Sequence, residues 1–533
     1  MKAGLFGFLS FCWRKLFCYL LLAALMAFPL FAHLDDLPFR IWDESRLAVS
    51  AYEMLTRGHF FVAHFKGEPD LWNTKPLLLV WLDVALLKLL GPGELAIRLP
   101  SAIAALFTGF LLFFFSRRYL GSSLLGFIVV LVLITSWGYV DRHGSRTGDY
   151  DALLVFFTTL SGLSFFLFCE SRKNKYLYGF FWFTFLGVLT KSIAALLFTP
   201  ALFIYALFFC RLSCFFKNRH FYLGLFSFFF LVLAYYLCAV YFNPRYLQAV
   251  FENEWWGRYV KAQEGNTAPF WFYLSNLMGY RWVPWAYFVP LGAWVLFRFS
   301  EGRLRRFAVF SSLLVVVYFL VISSAKTKLA WYDLPMYPFL AFYPAAFLVY
   351  LGDVLILKKI RRLLPVRFRV LESFVGSDKL RPLKFGYPFS VLFRRETWPF
   401  GLLVSFVILL FVGFPYMRIV DKVYLPQEKS REDREMYCAA YRMREAMRSG
   451  EDFLPNVVVY DGYKAHLLFY FFVLQDRGED LAFKYWNQLE PGDTVLVCQE
   501  KMKRAVEENY LFDLLAAEGS AKIYAIHGTQ TKE

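Results

Sequence analysis

Residues 16–46 read LFCYLLLAALMAFPLFAHLDDLPFRIWDESR: an apolar run without Asp, Glu, Lys or Arg, then four acids in two pairs, and two arginines. An uncharged apolar stretch of roughly 17–25 residues is what crosses a hydrocarbon core. Charge is costly at membrane depth and cheap among the headgroups, so Asp43, Glu44 and Arg46 stand where a membrane helix emerges. Acids in that place are either solvated bystanders or parts of a working site.

The rest of the chain follows the same pattern. Of its 533 residues, 58% are hydrophobic, including 64 Phe and 33 Tyr, above the roughly 45–50% of soluble domains. Apolar runs lie near residues 16–34, 96–115, 120–140, 152–169, 176–194, 195–210, 221–241, 282–298, 307–323, 336–357 and 399–416. The fold class expected is a polytopic α-helical membrane protein of about 11–13 spans. Residues 77–90, LLLVWLDVALLKLL, carry Asp83 and Lys88 and are short for a span, so they read as a helix lying in the interface. Lys2, Arg14 and Lys15 precede the first run and no small-residue cleavage pattern follows it, which reads as a retained first span with a cytoplasmic N-terminus.

The net charge of +16 is a membrane signature here. From Asp421 onward the chain holds 15 Lys/Arg against 20 Asp/Glu, so the excess positive charge sits in the membrane part. Basic clusters fall in alternate gaps: Arg117-Arg118, Arg172 to Lys175, Arg211 to Arg219, Arg303 to Arg306, and the segment 358–396. The positive-inside bias puts these in the cytoplasm. Segments 35–95, 141–151, 242–281 and 324–335 then face the other side, as does the tail. No nucleic-acid motif is present. Residues 1–420 read as the transmembrane domain, and residues 421–533 as a small extracytoplasmic α/β domain. A helical pattern at 431–450 and strands at 457–463 and 493–500 support the latter. The eight cysteines contain no CxxC pair, which argues against a zinc or redox cluster; Cys438 and Cys498 could pair if the tail is extracytoplasmic.

Every unusual polar cluster then falls on one face. These are Asp43-Glu44-Ser45-Arg46, Asn73-Thr74-Lys75-Pro76, DRHGSRTGDYD at 141–151, Lys191, FENEWWGRY at 251–259, and SAKTKLAWYDLPMYP at 324–338. Several cations, a few carboxylates and aromatic residues at a membrane surface suit a lipid-linked phosphate. One of the pair Asp149 and Asp151 should cap the helix beginning DALLVFF. His143 reads as a solvated loop residue and Trp255 as an interface anchor.

The motifs DExRxA (43–48), xxKP (73–76), ELAIRLPSA (94–102), RTGxxDALL (146–154), GVLTKS (187–192) and SAKTKLAWYDLPMYPFLA (324–341) resemble, in order, the bacterial GT-C glycosyltransferases related to the lipid A aminoarabinose transferase and the protein O-mannosyltransferases. The resemblance covers about residues 35–345. It implies a GT-C-like fold with interfacial helices in the first extracytoplasmic loop, and location in the bacterial inner membrane. It also implies a polyprenyl-phosphate sugar donor and a lipid, glycan or protein acceptor. By the same resemblance Asp43 is the base and Asp151 a second catalytic carboxylate. Lys75, Arg258, Lys191, Lys326 and Lys328 hold the donor phosphate, while Glu44, Arg46, Arg146, Tyr332 and Tyr337 line the substrate cavity. The pattern departs from the family at Thr74, where a Glu is common, and at Glu252-Asn253-Glu254, where some members have a His. In the aminoarabinose transferase that Glu and His are associated with a metal, so a divalent ion here would depend on carboxylates such as Asp43, Asp151, Glu252 and Glu254. The rival reading is a transporter or flippase of a lipid-linked or anionic substrate. It would call for repeated halves with broken midplane helices, and no such repeat is visible.

Overall fold

The computed structural model describes residues 19–255, 257, 259, 265–363, 398–424, 435–449 and 454–530. Helix α1 (Tyr19–Phe31) is short and apolar. Helix α2 (Asp43–Arg57) carries acids in its first turn and Arg57 in its last, the arrangement a helix dipole favours. Gly58 closes it at φ +76°, donating its N–H to the Met54 carbonyl. A hairpin of β1 (His64–Phe65) and β2 (Glu68–Pro69) turns through Lys66 and Gly67, both at positive φ. Next come α3 (Leu78–Leu90), α4 (Glu94–Phe115) and α5 (Ser123–Ile134). They are followed by α6 (Tyr150–Ser171), α7 (Asn174–Lys191), α8 (Thr199–Cys210) and α9 (Arg219–Phe242). The remaining membrane helices are α10 (Trp285–Phe299), α11 (Gly302–Ser324), α12 (Phe342–Leu363) and α13 (Trp398–Tyr424).

Among the described residues, six segments are long and apolar enough to cross a membrane: Glu94–Leu120, Tyr150–Ser171, Asn174–Leu196, Arg219–Phe242, Gly302–Ser324 and Ala330–Gly352. With α13 and the shorter apolar helices α1, α5, α8 and α10, they make a polytopic helical protein. The apolar run at 120–140 forms a shorter helix than expected, because α5 stops at Ile134 and a separate turn, Trp137–Val140, follows. At 13 residues α3 rises only about 20 Å, too short to span. Where α10 meets α12 the backbones nearly touch: a Cβ on Gly292 would lie 1.9 Å from the Tyr343 carbonyl oxygen, so only glycine fits.

The chain divides into two compact units. The first comprises residues 1–32, 71–78 and 101–420, and the second residues 33–70, 79–100 and 421–533. The C-terminal residues therefore share a unit with α2 and most of α3, which reading the sequence as two successive segments does not anticipate.

In the second unit, α14 (Glu435–Ser449) precedes an α/β arrangement. It runs β3 (Val457–Val459), α15 (Ala465–Asp476), β4 (Ala482–Lys484), β5 (Thr494–Val497), α16 (Glu500–Asn509), β6 (Tyr510–Glu518) and β7 (Ala521–Thr529). The five strands lie in the order β4-β3-β5-β7-β6. Strands β3, β4 and β5 are parallel, and β7 pairs antiparallel with both β5 and β6. Strands β3 and β5 are wholly or largely buried and read as short valine-rich runs, as strands covered on both faces do. Cys438 and Cys498 form a disulfide that links α14 to the end of β5.

One buried group has no counterpart charge. Asp83, on the buried face of α3, is inaccessible to solvent, and neither carboxylate oxygen has a hydrogen-bond partner among the described residues. Burial pushes its carboxyl well above the ordinary value. An unpaired buried polar group costs about 1–3 kcal/mol. Asp83→Leu should therefore raise the thermal midpoint of the detergent-solubilised protein, and a lowered midpoint would reveal a partner for the carboxyl.

Candidate active site

The first unit encloses a cavity of about 350 Å³. Its wall is largely apolar, with Leu154, Ile193, Leu197 and Ile322, and it includes the aromatics Trp255, Tyr259, Tyr318 and Tyr332. Three ionisable side chains join them: Asp151, Lys191 and Glu254.

Two helix ends create the polar part. At the start of α6 the Asp149 carboxylate accepts the Tyr150 N–H at 2.9 Å, so Asp149 is the cap and Asp151 falls in the first turn. Helix α7 breaks at Lys191, because Ser192 takes φ +48° and the chain continues as the tight turn Ser192–Leu196. The break frees Lys191 to reach Asp151, and its Nζ donates to both carboxylate oxygens, at 2.6 and 2.7 Å. The same ammonium lies 5.5 Å from the Tyr332 ring. Ser192 accepts the Trp255 indole N–H at 2.9 Å and lies 3.0 Å from the Tyr236 hydroxyl. Lys75 forms a second, partly buried pair, 3.6 Å from Glu254, donates to Asn73 at 3.2 Å, and sits 5.2 Å from the Tyr150 ring.

His143 is not the solvated loop residue expected from the sequence. It is half-buried, ion-paired through Nδ1 with Asp149, and stacked on Trp331 with ring centroids 3.5 Å apart and planes within 13°. Its backbone is at φ +56°, a conformation non-glycine residues rarely adopt, held by its N–H donating to the Thr147 hydroxyl at 2.9 Å. Gly144 must be glycine, since a Cβ would fall 2.2 Å from the Tyr139 carbonyl oxygen. Burial alone would raise the Asp149 carboxyl, but the facing His143 outweighs it, with Lys191 and Lys75 adding, and the group lies below its usual value. A second buried cluster secures the turn Ala330–Met336. Arg281 donates to the Gly138 carbonyl at 3.1 Å and its Nε is 3.4 Å from Asp333, which accepts the Tyr337 hydroxyl at 3.2 Å.

The expected site residues thus separate. Asp151, Lys191 and Tyr332 meet at the cavity, and Lys75 joins through Glu254. Tyr337 is not in its wall; it is buried with Asp333. Arg146 is half-buried and donates to the Pro29 carbonyl at 3.1 Å. Lys326 is exposed and Lys328 donates to the Ala325 carbonyl; they flank Thr327, which pairs with Thr267 and does line the cavity. Arg258 lies outside the described residues. Asp43, Glu44 and Arg46 belong to the second unit. Asp43 begins α2 with an exposed side chain. Glu44, expected in a substrate cavity, is instead a buried structural anion: Arg98 donates to it at 2.7 and 3.1 Å, and the Arg40 N–H at 2.7 Å. Its carboxyl lies below the usual value because Arg98 overcomes the effect of burial. Arg46 is committed to Asp70 through two 2.7 Å hydrogen bonds. His143, Trp331 and Asp333 lie within segments that stand out in the sequence but carry no site role there, and Arg281 lies in none of them.

A divalent ion does not fit at Glu252 and Glu254. Glu254 already faces the Lys75 ammonium, and Glu252 is exposed and accepts from Gln248 at 3.0 Å. One neutralised and one solvated carboxylate do not form an oxygen cage.

Residues 74–237 match the family model described as dolichyl-phosphate-mannose-protein mannosyltransferase. The structure of ArnT from Cupriavidus metallidurans bound to undecaprenyl phosphate superposes with a TM-score of 0.68, covering 96% of this chain and 97% of that one at 16% identity. This chain has the fold of ArnT. An archaeal oligosaccharyltransferase from Archaeoglobus fulgidus shares the fold more loosely, with a TM-score of 0.51 over 97% of this chain and 74% of that one, at 11% identity. Among curated sequences, an uncharacterised Aquifex aeolicus protein is 27% identical over 405 residues, 74% of this chain and 77% of that one. The undecaprenyl phosphate-α-4-amino-4-deoxy-L-arabinose arabinosyl transferase of Edwardsiella ictaluri is 28% identical over 328 residues, 59% of this chain but only 57% of its own length.

Two outcomes follow from the paired charges. Lys191→Ala leaves the buried Asp151 carboxylate unpaired and should cost about 3–5 kcal/mol, while Lys191→Met with Asp151→Leu should recover most of that in the same denaturation assay. Asp149, with its depressed value, contributes stability at neutral pH that is lost only as pH falls through its folded value. His143→Gln removes the main cause, so the acid limb of the melting curve should move to higher pH, with Lys191 and Lys75 still facing the group; an unmoved limb would show that His143 does not hold it.

Proposed function

We propose that this protein is a GT-C-like membrane glycosyltransferase that moves a sugar from a polyprenyl-phosphate donor to a lipid, glycan or protein acceptor. The observation that carries the reading is the cavity of the first unit, apolar for most of its wall and supplied with buried Lys191 and, through Glu254, Lys75. An apolar wall suits a prenyl chain, and buried ammonium groups suit the phosphate attached to it. The relatives named for undecaprenyl phosphate and for its aminoarabinose derivative support the same donor class.

The reaction would proceed with inversion. Asp43 takes the proton of an acceptor hydroxyl or phosphate oxygen as that oxygen attacks the anomeric carbon. The bond from that carbon to the phosphate oxygen breaks, and the polyprenyl phosphate leaves as a dianion. No general acid is required when cations receive that charge. Lys75, Lys191 and Arg258 are assigned this role, Lys326 and Lys328 a secondary one, and Asp151 holds Lys191 in place. The base assignment rests on the family resemblance and on the exposed carboxylate of Asp43.

The protein is placed in the bacterial inner membrane with its N-terminus cytoplasmic and residues 421–533 outside the cytoplasm. The alternating basic loops support this, and the Cys438–Cys498 disulfide suits an oxidising compartment.

Purified protein should release polyprenyl phosphate from a matching polyprenyl-phosphate sugar in the presence of acceptor. Asp43→Asn should lower turnover by about 10²–10⁴-fold with unchanged donor binding, and turnover within a few-fold of wild type would remove Asp43 from the role. Lys75→Ala should weaken donor binding. Substrate movement across proteoliposomes without any sugar transfer would favour the transporter reading.

A further inference from the structure

The second unit holds an aromatic feature that the proposed chemistry does not use. Trp42, the residue before Asp43, lies at φ +81° and ψ −119°, a strained conformation for a tryptophan. It stacks on Tyr463 with ring centroids 4.5 Å apart and planes within 11°, yet remains 56% exposed. One indole face is therefore supported and the rest is open. The support is itself fixed: Tyr463 hydrogen-bonds Arg46, which is clamped on Asp70 and lies 4.2 Å from the Phe65 ring.

Sheet topology singles out the same place independently. Strand β3 lies between β4 and β5, all three parallel. From β3 the chain passes through α15 to β4 on one side, whereas from β5 it passes through α16 to β6 and β7 on the other. The carboxyl ends of β3 and β5 thus form a topological switch point, the position where open α/β sheets leave a crevice for ligands. Tyr463 lies in the loop after β3. The residues after the two strands are tied together, with the Asp461 N–H donating to the Gln499 side chain at 2.7 Å and the Gln499 amide donating to the Asp461 carbonyl at 2.9 Å.

Tyr463 faces the Arg46 guanidinium and the Asp70 and Asp43 carboxylates, and two lysines stand beyond them. Lys464 follows Tyr463, and Lys66 is at the hairpin tip. Burial, and then the proximity of Lys66, holds the Lys464 ammonium below its ordinary value. Among the described residues neither lysine has a carboxylate partner. Two like charges kept together without a counterion favour an anion.

We propose that Trp42 and Tyr463 form the acceptor subsite, an aromatic shelf for the ring of an anionic saccharide whose phosphate or carboxylate is met by Lys66 and Lys464. Rigid aromatic rings give large contact area at little entropic cost, and a sugar ring has an apolar face to match. The shelf adjoins Asp43 in the chain, so the proposal rests on the glycosyltransferase reading for the purpose of binding, though the binding itself is measurable without turnover.

The test is equilibrium binding to the full-length protein in detergent, with lactose 1-phosphate, lactose and a phosphoserine octapeptide as probes. Lactose 1-phosphate should bind below about 10 mM, Trp42→Ala should weaken it about tenfold or more, and Trp42→Phe should stay within about threefold. Lys66→Ala with Lys464→Ala should reduce lactose 1-phosphate to the affinity of lactose. Retained binding in Trp42→Ala, no wild-type binding of lactose 1-phosphate, or preference for the phosphopeptide would each overturn the proposal. Thermal unfolding of each variant separates loss of the shelf from loss of the fold. A wild type that binds the sugar phosphate but never releases polyprenyl phosphate sinks the transferase reading and leaves the subsite standing.

Discussion

A buried lysine and a buried aspartate, Lys191 and Asp151, each make the other tolerable in the membrane part of this protein. Either charge alone would carry several kcal/mol of desolvation in that setting. Together they explain two local irregularities. Helix α7 breaks at Lys191 and helix α6 starts one residue before Asp151, so a helix end on each side supplies the freedom to bring the groups together. The cavity is built around this pair, and its apolar wall strengthens every electrostatic interaction inside.

Around the pair, further contacts hold aromatic and charged groups in fixed orientations. Asp149 serves twice, capping α6 with one oxygen and meeting His143 with the other. His143 supports Trp331, and the next residue, Tyr332, reaches the cavity beside Lys191. Two residues beyond Trp331, Asp333 is anchored by Arg281 and Tyr337. The conspicuous YDLPMYP segment is thus mostly scaffold, with one residue, Tyr332, and the ring of Pro335 presented to the cavity. This division of labour is what preorganisation requires: a reactive surface can be small if its supports are many.

Much of this was legible in residue order. Apolar runs separated by basic gaps reveal a polytopic helical protein because the bilayer imposes both length and charge bias. Lys191 stood out because a charge within an apolar run is too costly to persist unless it is paired or serves a site. Glu44 misled for a physical reason: a buried salt bridge and an active-site carboxylate look alike until Arg98, 54 residues away, is seen to occupy it. His143 misled in the opposite direction, since nothing nearby in sequence announces that Trp331 will cover it.

What the sequence by itself determined was therefore the solvent each segment prefers: which runs enter lipid, which loops carry positive charge, and where strands and caps begin. These follow from composition and local periodicity, which act over a few residues. Only the tertiary structure decided which charges are spent on one another and which remain for a substrate. Ion pairing depends on distances between side chains far apart in the chain, and helix packing sets those distances. Asp43 and Glu44 are neighbours in one helical turn, yet one is exposed and the other is locked to an arginine, and no local property of the sequence distinguishes them.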